Sequence, residues 1–193
     1  MSCLVLDNKS NLDWYKNGRN LIANWRHNKN FYNDIISIAQ SNQEILFLLK
    51  GKDLNWKKIP EFQIILHKIS KTKNIEILDN KLWDSNKCLG FCDFAIGKYT
   101  SLIDEFVTLN KPVIIFDNDL FPLEYLDLKR EIFARNLGEL REKLAKILEQ
   151  KESYLLENED WKKKLDGTFD QNFFLKLLIK YAKEHEKKHN QND

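Results

Sequence analysis

The chain has few of the features that mark several large classes of protein. It contains three cysteines in 193 residues, an odd and sparse set that favours reduced thiols over a disulfide framework. No run of about 18 apolar residues occurs, so we expect no transmembrane helix. The first residues also lack the basic segment of a signal peptide. These absences together predict a cytoplasmic protein.

The chain also has no large excess of charge of one sign. The sequence has 31 Lys and Arg against 29 Asp and Glu, which leaves a net charge of +2. Such a balance gives no electrostatic argument for binding nucleic acid or a membrane surface. The glycine signatures of the usual dinucleotide-binding loop and of the P-loop are absent as well. Any nucleotide site must therefore be argued from other residues.

Apolar segments of strand length alternate along the chain with segments of helical periodicity. This alternation predicts an α/β domain, a Rossmann-like doubly wound parallel sheet with C-terminal helices folded over it. The predicted strands are 44–50, 74–78, 93–97 and 112–116, and the predicted helices lie near 31–39, 60–69, 82–91, 100–109 and 137–149.

The length fits one domain over residues 1–193. We expect residues 1–19 to be a linker or N-terminal extension, although the apolar run 4–6 leaves a strand open. The expected Rossmann-like core is 20–150, the closing helices are 151–185, and the charged tail 186–193 is expected to fray.

The most informative segment runs from residue 93 to 119. A buried strand is predicted to end at Gly97, followed by a turn and by a helix that starts at Thr100–Ser101. Ligands of open α/β sheets bind at the carboxyl ends of strands, and the first turn of a helix suits phosphate. Glu105 lies one turn further along, where its carboxylate can accept hydrogen bonds from two ribose hydroxyls.

A simpler interpretation of the same residues remains open. Strand–turn–helix units with Ser or Thr at the helix start are common, because these side chains cap the free N–H groups. On that interpretation Thr100 and Ser101 only cap the helix, and Glu105 is a solvated surface acid. The pattern alone does not separate the two interpretations.

The segment resembles the donor-binding motif of CDP-glycerol glycerophosphotransferases and capsule polysaccharide transferases, in the C-terminal half of the GT-B fold. Those families carry Asp-Tyr-Ser-Ser, then an acidic residue, then a proline-led strand that ends near an aspartate. The corresponding positions here are the run Lys98–Ser101, Glu105, the strand 112–116, and Asp117 or Asp119. A lysine at 98 and a threonine at 100 depart from the family pattern.

Two earlier segments follow the same family order. Residues 21–26 resemble the first strand of that domain and the loop after it, and residues 46–50 resemble its second strand. The resemblance implies a nucleotide and phosphate site formed by Arg26, Lys50, Tyr99, Thr100, Ser101 and Glu105.

The resemblance also implies a function. The chain is expected to bind a CDP-, UDP- or GDP-linked donor for glycosyl or glycerophosphate transfer in surface polysaccharide synthesis. A GT-B enzyme has two Rossmann-like halves, so a missing half or a separate partner chain is expected to bind the acceptor, and a homodimer is another arrangement. Catalytic residues are not identified, and no metal or cofactor is expected. The alternatives are a non-catalytic interaction module or degenerate remnant, and a sugar-nucleotide epimerase.

Two other patterns resemble parts of a site. His185 and His189 match the spacing of an H-E-x-x-H zinc motif, but a third ligand is missing and lysines surround them. A chance match on a surface tail is the better interpretation. Trp56 is a candidate for a residue that flanks the ligand cleft.

Overall fold

The computed structural model describes residues 1–7, 25–51, 54–98, 100–116, 132–157, 159 and 162–163. Within this part of the chain, one six-stranded sheet has the order β3-β2-β1-β4-β5-β6. All five neighbouring pairs are parallel. This is the strand order of the doubly wound nucleotide-binding fold, so the predicted fold class is confirmed.

The strands are short and mostly buried on both faces, as parallel strands usually are. Their bounds are β1 Ser2–Leu6, β2 Leu46–Lys50, β3 Ile75–Ile77, β4 Phe94–Gly97, β5 Val113–Phe116 and β6 Phe133–Ala134.

Helices connect the strands and cover both faces of the sheet. Two short 3-10 turns, Asn55–Lys58 and Pro60–Phe62, precede α2. The α-helices are α1 Trp25–Ser41, α2 Gln63–Lys71, α3 Ser85–Phe91, α4 Ser101–Thr108, α5 Leu137–Glu149 and α6 Lys151–Glu157.

The core has two parts, one on each face of the sheet. Because side chains alternate along a strand, Cys3 and Val5 of β1 face the cluster built with α1, α2 and α5. Leu4 and Leu6 face the opposite cluster, which includes the buried sides of α3 and α4. The sheet is therefore a shared layer between two hydrophobic cores, and its strand ends are the places where polar groups can collect.

At the N-terminus the expectation of a linker or extension is corrected for residues 2–6. The strand that the apolar run 4–6 left open forms as β1, Ser2–Leu6, which pairs with both β2 and β4 in the middle of the sheet. The reason is physical, since a short, mostly apolar segment that is buried on both faces is what a central parallel strand requires. The strand predicted at 21–23 lies outside the described residues, and the outer limits of the domain stay a prediction.

Two other expectations differ in detail. Residues 25–26 were placed in a loop, whereas their backbone belongs to the first turn of α1. Trp56 was considered as a cleft residue, but it is 1% exposed and its ring packs against Tyr32 and Phe62 in the core. The helix predicted at 137–149 is confirmed, with Asn136 as its N-cap.

Candidate functional site

The strand order reverses at β1 and β4, and their carboxyl ends are therefore the candidate location of a ligand site. After β1 the chain builds β2 and β3 on one side, and then β4 returns to the other side of β1. Ligands of open α/β folds bind where the strand order reverses in this way. We call this place the switch-point edge and define it by Asp7 after β1, and by Lys98, Thr100 and Ser101 after β4.

Gly97 lets the two central strands approach each other closely at this edge. In the parallel pairing of β1 with β4, Gly97 lies opposite Leu6. A Cβ atom added at Gly97 would lie 2.4 Å from the carbonyl oxygen of Leu6 and 2.7 Å from its Cβ. No side chain fits there without moving the strands apart, so glycine is required by packing at this position.

The N-terminus of α4 follows β4 at the switch-point edge. The first-turn N–H groups of a helix lack intrahelical partners and carry a partial positive charge. Ser101 is exposed at the first helical position, and Glu105 is exposed one turn later on the same side. Leu102 and Phe106 are buried on the other side and fix the helix against the sheet. Ser101 and Glu105 are thus presented together, as the predicted site requires.

Thr100 occupies the N-cap position of α4 without making the hydrogen bond that caps a helix. Its Oγ1 is shielded from solvent and has no hydrogen-bond partner within the part of the chain that the structure describes. Its carbonyl accepts from Ile103 N–H at 2.9 Å, so the backbone alone starts the helix. A buried hydroxyl in this state is costly unless something else satisfies it, which argues against the interpretation that Thr100 is simply a cap.

Lys50 ends β2, one strand away from the switch point, and its ammonium group is already engaged. Lys50 Nζ donates to Trp83 O at 2.7 Å and to Asn80 Oδ1 at 3.2 Å. These bonds tie the end of β2 to the segment between β3 and α3. For Lys50 to bind a ligand phosphate, it must give up or share these contacts, so its predicted role remains a prediction.

Several predicted positions cannot be placed with the others. Tyr99, Asp117 and Asp119 lie outside the described residues, as do the two histidines of the H-E-x-x-H pattern. Arg26 belongs to α1 by its backbone, and its side chain lies outside what is described. The structure therefore brings together Thr100, Ser101 and Glu105 of the predicted set.

The site also contains a buried acid that the sequence analysis missed. Asp7 is 5% exposed, and its Oδ2 accepts a hydrogen bond from the hydroxyl of Tyr32 on α1. The ring of Tyr32 stacks on Trp56 at 4.6 Å between centroids and meets Phe62 edge-on at 6.0 Å. The aromatic cluster thus fixes the orientation of a carboxylate at the end of the central strand. The available signal was the apolar run of β1 ending in an acidic residue.

A second buried charge lies beside Asp7. Lys98 is 7% exposed, and its backbone N–H donates to Leu6 O at 3.1 Å, which places it directly after β4 and next to the end of β1. The switch-point edge therefore combines one acidic and one basic side chain with the start of α4. This arrangement can bind an anionic group and a hydroxyl group at the same time.

The three cysteines lie away from this edge and are buried free thiols. Burial raises the pKa of Cys92 to about 12, with a further increase from Cys88 that Lys111 partly offsets. Burial also raises the pKa of Cys3 well above its usual range. Thiols with raised pKa are poor nucleophiles and poor metal ligands, so the cysteines are core residues.

The described residues contain neither a metal-binding cluster nor a membrane-spanning helix. No group of three His, Cys, Asp or Glu side chains there is arranged to hold a metal ion. Among the helices whose residues are described, none has the length and apolarity needed to cross a membrane.

Comparison of the sequence with known proteins gives no match, either to a protein-family model or to a curated protein. The fold, in contrast, has solved relatives. The wall teichoic acid polymerase TagF, soaked with CDPG, superposes with a TM-score of 0.56 at 12% identity, over 95% of this chain and 43% of that one. The UDP-GlcNAc 2-epimerase of Neisseria meningitidis, bound to UDP-GlcNAc, gives 0.54 at 12% identity, over 81% of this chain and 38% of that one.

A third solved relative is the catalytic domain of the cholesterol-α-glucosyltransferase of Helicobacter pylori. Its TM-score is 0.52 at 15% identity, over 84% of this chain and 96% of that one. At such identities the likeness concerns the fold. The chain shares a Rossmann-like fold with each of these structures, as the resemblance implied. Its match covers less than half the length of the polymerase and of the epimerase.

Proposed function

We propose that the chain binds a nucleoside diphosphate-linked donor at the switch-point edge, for glycosyl or glycerophosphate transfer in the synthesis of a surface polysaccharide. The observation that carries the proposal is the start of α4. There the buried, unpartnered hydroxyl of Thr100 lies beside first-turn N–H groups at the end of β4. Hydroxyl and N–H donors at a helix N-terminus suit a phosphate.

In this proposal each residue near α4 has a separate task. Thr100 and Ser101 donate to the diphosphate, with Tyr99, Arg26 and Lys50 as further candidates from the sequence. Glu105 accepts hydrogen bonds from the ribose hydroxyls one helical turn away. Catalysis then consists of stabilising the charge of the departing nucleotide, which is a nucleoside diphosphate in glycosyl transfer and a nucleoside monophosphate in glycerophosphate transfer; fixed donors and the helix dipole can do this. The nucleophile is a hydroxyl of the acceptor.

The acceptor and its general base are proposed to lie on another domain or chain. Support comes from coverage, since this chain matches 43% of the polymerase TagF and 38% of the epimerase. The partner is a separate acceptor-binding chain or a second copy of this one, and the site of action is proposed to be the cytoplasm. A second candidate function is a sugar-nucleotide epimerase, favoured by the solved epimerase that is bound to UDP-GlcNAc. The epimerase activity likewise needs a second half.

Calorimetric titration of the whole chain with UDP, CDP and GDP tests the proposal. We expect one of them to bind, and we expect Thr100→Val, Ser101→Ala and Glu105→Gln each to weaken binding at least tenfold, about 1.4 kcal/mol. Ser153→Ala and Glu76→Gln are the matched controls, because both residues are exposed and lie on other elements. Absence of binding by all three nucleotides would refute the proposal and favour the interaction-module alternative.

A further inference from the structure

Positive charge is concentrated around α2, although the chain as a whole carries a net charge of only +2. Lysines recur from the 3-10 turn before α2 to the start of β3, at Lys57, Lys58, Lys68, Lys71 and Lys73. Lys57 is half-buried and the others are exposed. We call this surface the basic strip and define it by these lysines together with Ile64. A local excess of one charge can attract a partner of opposite charge even where the net charge is small.

The periodicity of α2 separates the basic strip from the core. Ile65 and Ile69 are buried against the sheet, whereas Ile64 and Lys71 lie two turns apart on the opposite side of the helix and are exposed. Lys68 lies beside that line and is exposed as well. The outward side of α2 therefore combines lysines with one aliphatic side chain.

Contacts with neighbouring segments hold the basic strip in a fixed shape. Gln63 Nε2 donates to Lys57 O at 2.9 Å, which ties the 3-10 turn to the first turn of α2. Lys68 Nζ donates to Asn33 Oδ1 of α1 at 3.0 Å, which ties the middle of α2 to the helix beside it. The lysines are thus presented on a packed surface of the domain.

The charge of the basic strip is not neutralised within the part of the chain that the structure describes. Most of its lysines make no ion pair there, namely Lys57, Lys58, Lys71 and Lys73. Residues 57–76 contain two acids, and Glu61 is half-buried and engaged in a contact of its own. Glu76 pairs in register with Leu48, which belongs to the core on the other face of the sheet, so Glu76 points away from α2.

Ile64 adds an apolar group to the basic strip. Its side chain is 62% exposed. A single exposed isoleucine is ordinary at a protein surface, but an aliphatic side chain among lysines on an amphipathic helix suits the interface of a membrane. Clusters of about four to eight lysines on such a helix are typical of surfaces that bind anionic lipid headgroups.

Nucleic acid is the other large anionic partner, and the basic strip suits it less well. Proteins that bind single strands stack bases on aromatic side chains. The large aromatic residues of this region, Trp56 and Phe62, are buried in the core. The exposed apolar group is instead the aliphatic Ile64, which cannot stack on a base.

We infer that the basic strip docks the chain on the surface of an anionic membrane, with the lysines against lipid phosphates and Ile64 entering the headgroup region. The basic strip shares no residue with the switch-point edge. The inference therefore goes beyond the proposed function and does not depend on it.

Vesicle flotation of the whole chain tests the inference. One set of vesicles is phosphatidylcholine alone, and the other contains about 30% phosphatidylglycerol. We expect binding to the anionic vesicles only. The partition coefficient is expected to fall at least fivefold when NaCl rises from about 0.1 M to about 0.5 M, because salt screens the attraction between exposed charges.

Substitutions in the basic strip separate its two contributions. The combined variant Lys58→Gln, Lys71→Gln and Lys73→Gln is expected to lower the partition coefficient at least tenfold, since each lysine near an anionic surface contributes about fivefold. Ile64→Ser is expected to lower it about threefold without changing its salt dependence. All four residues are exposed, so the fold is expected to persist, which thermal unfolding checks.

A matched control removes the same charge from other faces. The combined variant Lys87→Gln, Lys146→Gln and Lys151→Gln alters exposed residues of α3, α5 and α6 and is expected to change partitioning less than threefold. Equal losses in the two combined variants, or equal partitioning of the unaltered chain into both kinds of vesicle, would overturn the inference. Binding of a short DNA duplex without binding of vesicles would assign the basic strip to nucleic acid and overturn it too. None of these outcomes involves a nucleotide donor, so the proposed function is tested separately.

Discussion

Replacing Gly97 by alanine tests the close contact of the two central strands. The added Cβ would lie 2.4 Å from Leu6 O and 2.7 Å from Leu6 Cβ, and both atoms belong to a buried paired strand that cannot rotate away. Overpacking in a core usually costs about 1–3 kcal/mol, and a clash with backbone belongs at the upper end, so we expect a loss of roughly 3 kcal/mol. Since β4 leads into α4, the same change is expected to displace the candidate phosphate site.

Urea unfolding followed by circular dichroism measures this loss. With a denaturant dependence of about 2 kcal/mol/M, a loss of roughly 3 kcal/mol lowers the midpoint by about 1.5 M. Gly90→Ala is the matched control, because in the described structure no heavy atom beyond its chain neighbours and its own helix backbone lies within 4 Å of its Cβ position on α3. That change is expected to be neutral or to stabilise by about 0.5–1 kcal/mol. Equal stability of the two variants would refute the argument from strand contact.

Three further outcomes are expected. Asn74 Nδ2 shares its two N–H groups among the carbonyls of Ala39, Asn42 and Ile45, each at 2.9 Å, so Asn74→Ala should lower the free energy of unfolding by about 2–3 kcal/mol. The exposed Asn86→Ala should change it by less than about 0.5 kcal/mol, and similar losses in both would contradict the argument. Ellman's reagent should titrate no thiol in the folded chain at pH 8 and all three in denaturant, because the cysteines are buried; rapid reaction of the folded chain would contradict this. Folded Cys92 has a pKa of about 12, against about 8.5 when unfolded, so its stabilising effect is complete below pH 8.5 and lost as pH rises toward 12. The urea midpoint should therefore fall less steeply with rising pH in Cys92→Ala, and parallel pH profiles would contradict the assignment.

Strands and helices could be predicted from the sequence where a segment shows the apolar spacing of its own type of secondary structure. The buried strand at 113–116 and the amphipathic helix at 137–149 were found because apolar residues recur there at the spacing of a strand and of a helix. For β1 the sequence left a strand and a linker both open, because the apolar run is short and its place at the centre of the sheet depends on pairing with β2 and β4. The two-residue strand β6 is too short to produce any periodic signal.

Of the candidate site, the sequence predicted only those residues that lie close together along the chain. Thr100, Ser101 and Glu105 belong to one strand–turn–helix unit, and their spacing fixes their relative placement. Asp7 and Lys98 are brought together by the parallel pairing of strands that are 91 residues apart, which no local pattern reveals. The partner of Asp7, Tyr32, looks like an ordinary core aromatic until α1 is packed on the sheet.

The central claim is that ligand binds at the carboxyl ends of β1 and β4, and amide chemical shifts locate it most directly. Titration of the nitrogen-15-labelled chain with UDP, CDP and GDP in turn is expected to shift the amide resonances of Lys98, Ser101 and Leu102. The amides of Asn74 and Asp93, at the opposite ends of the strands, are expected to stay unchanged. Shifts confined to that opposite edge, or none with any nucleotide, would contradict the account.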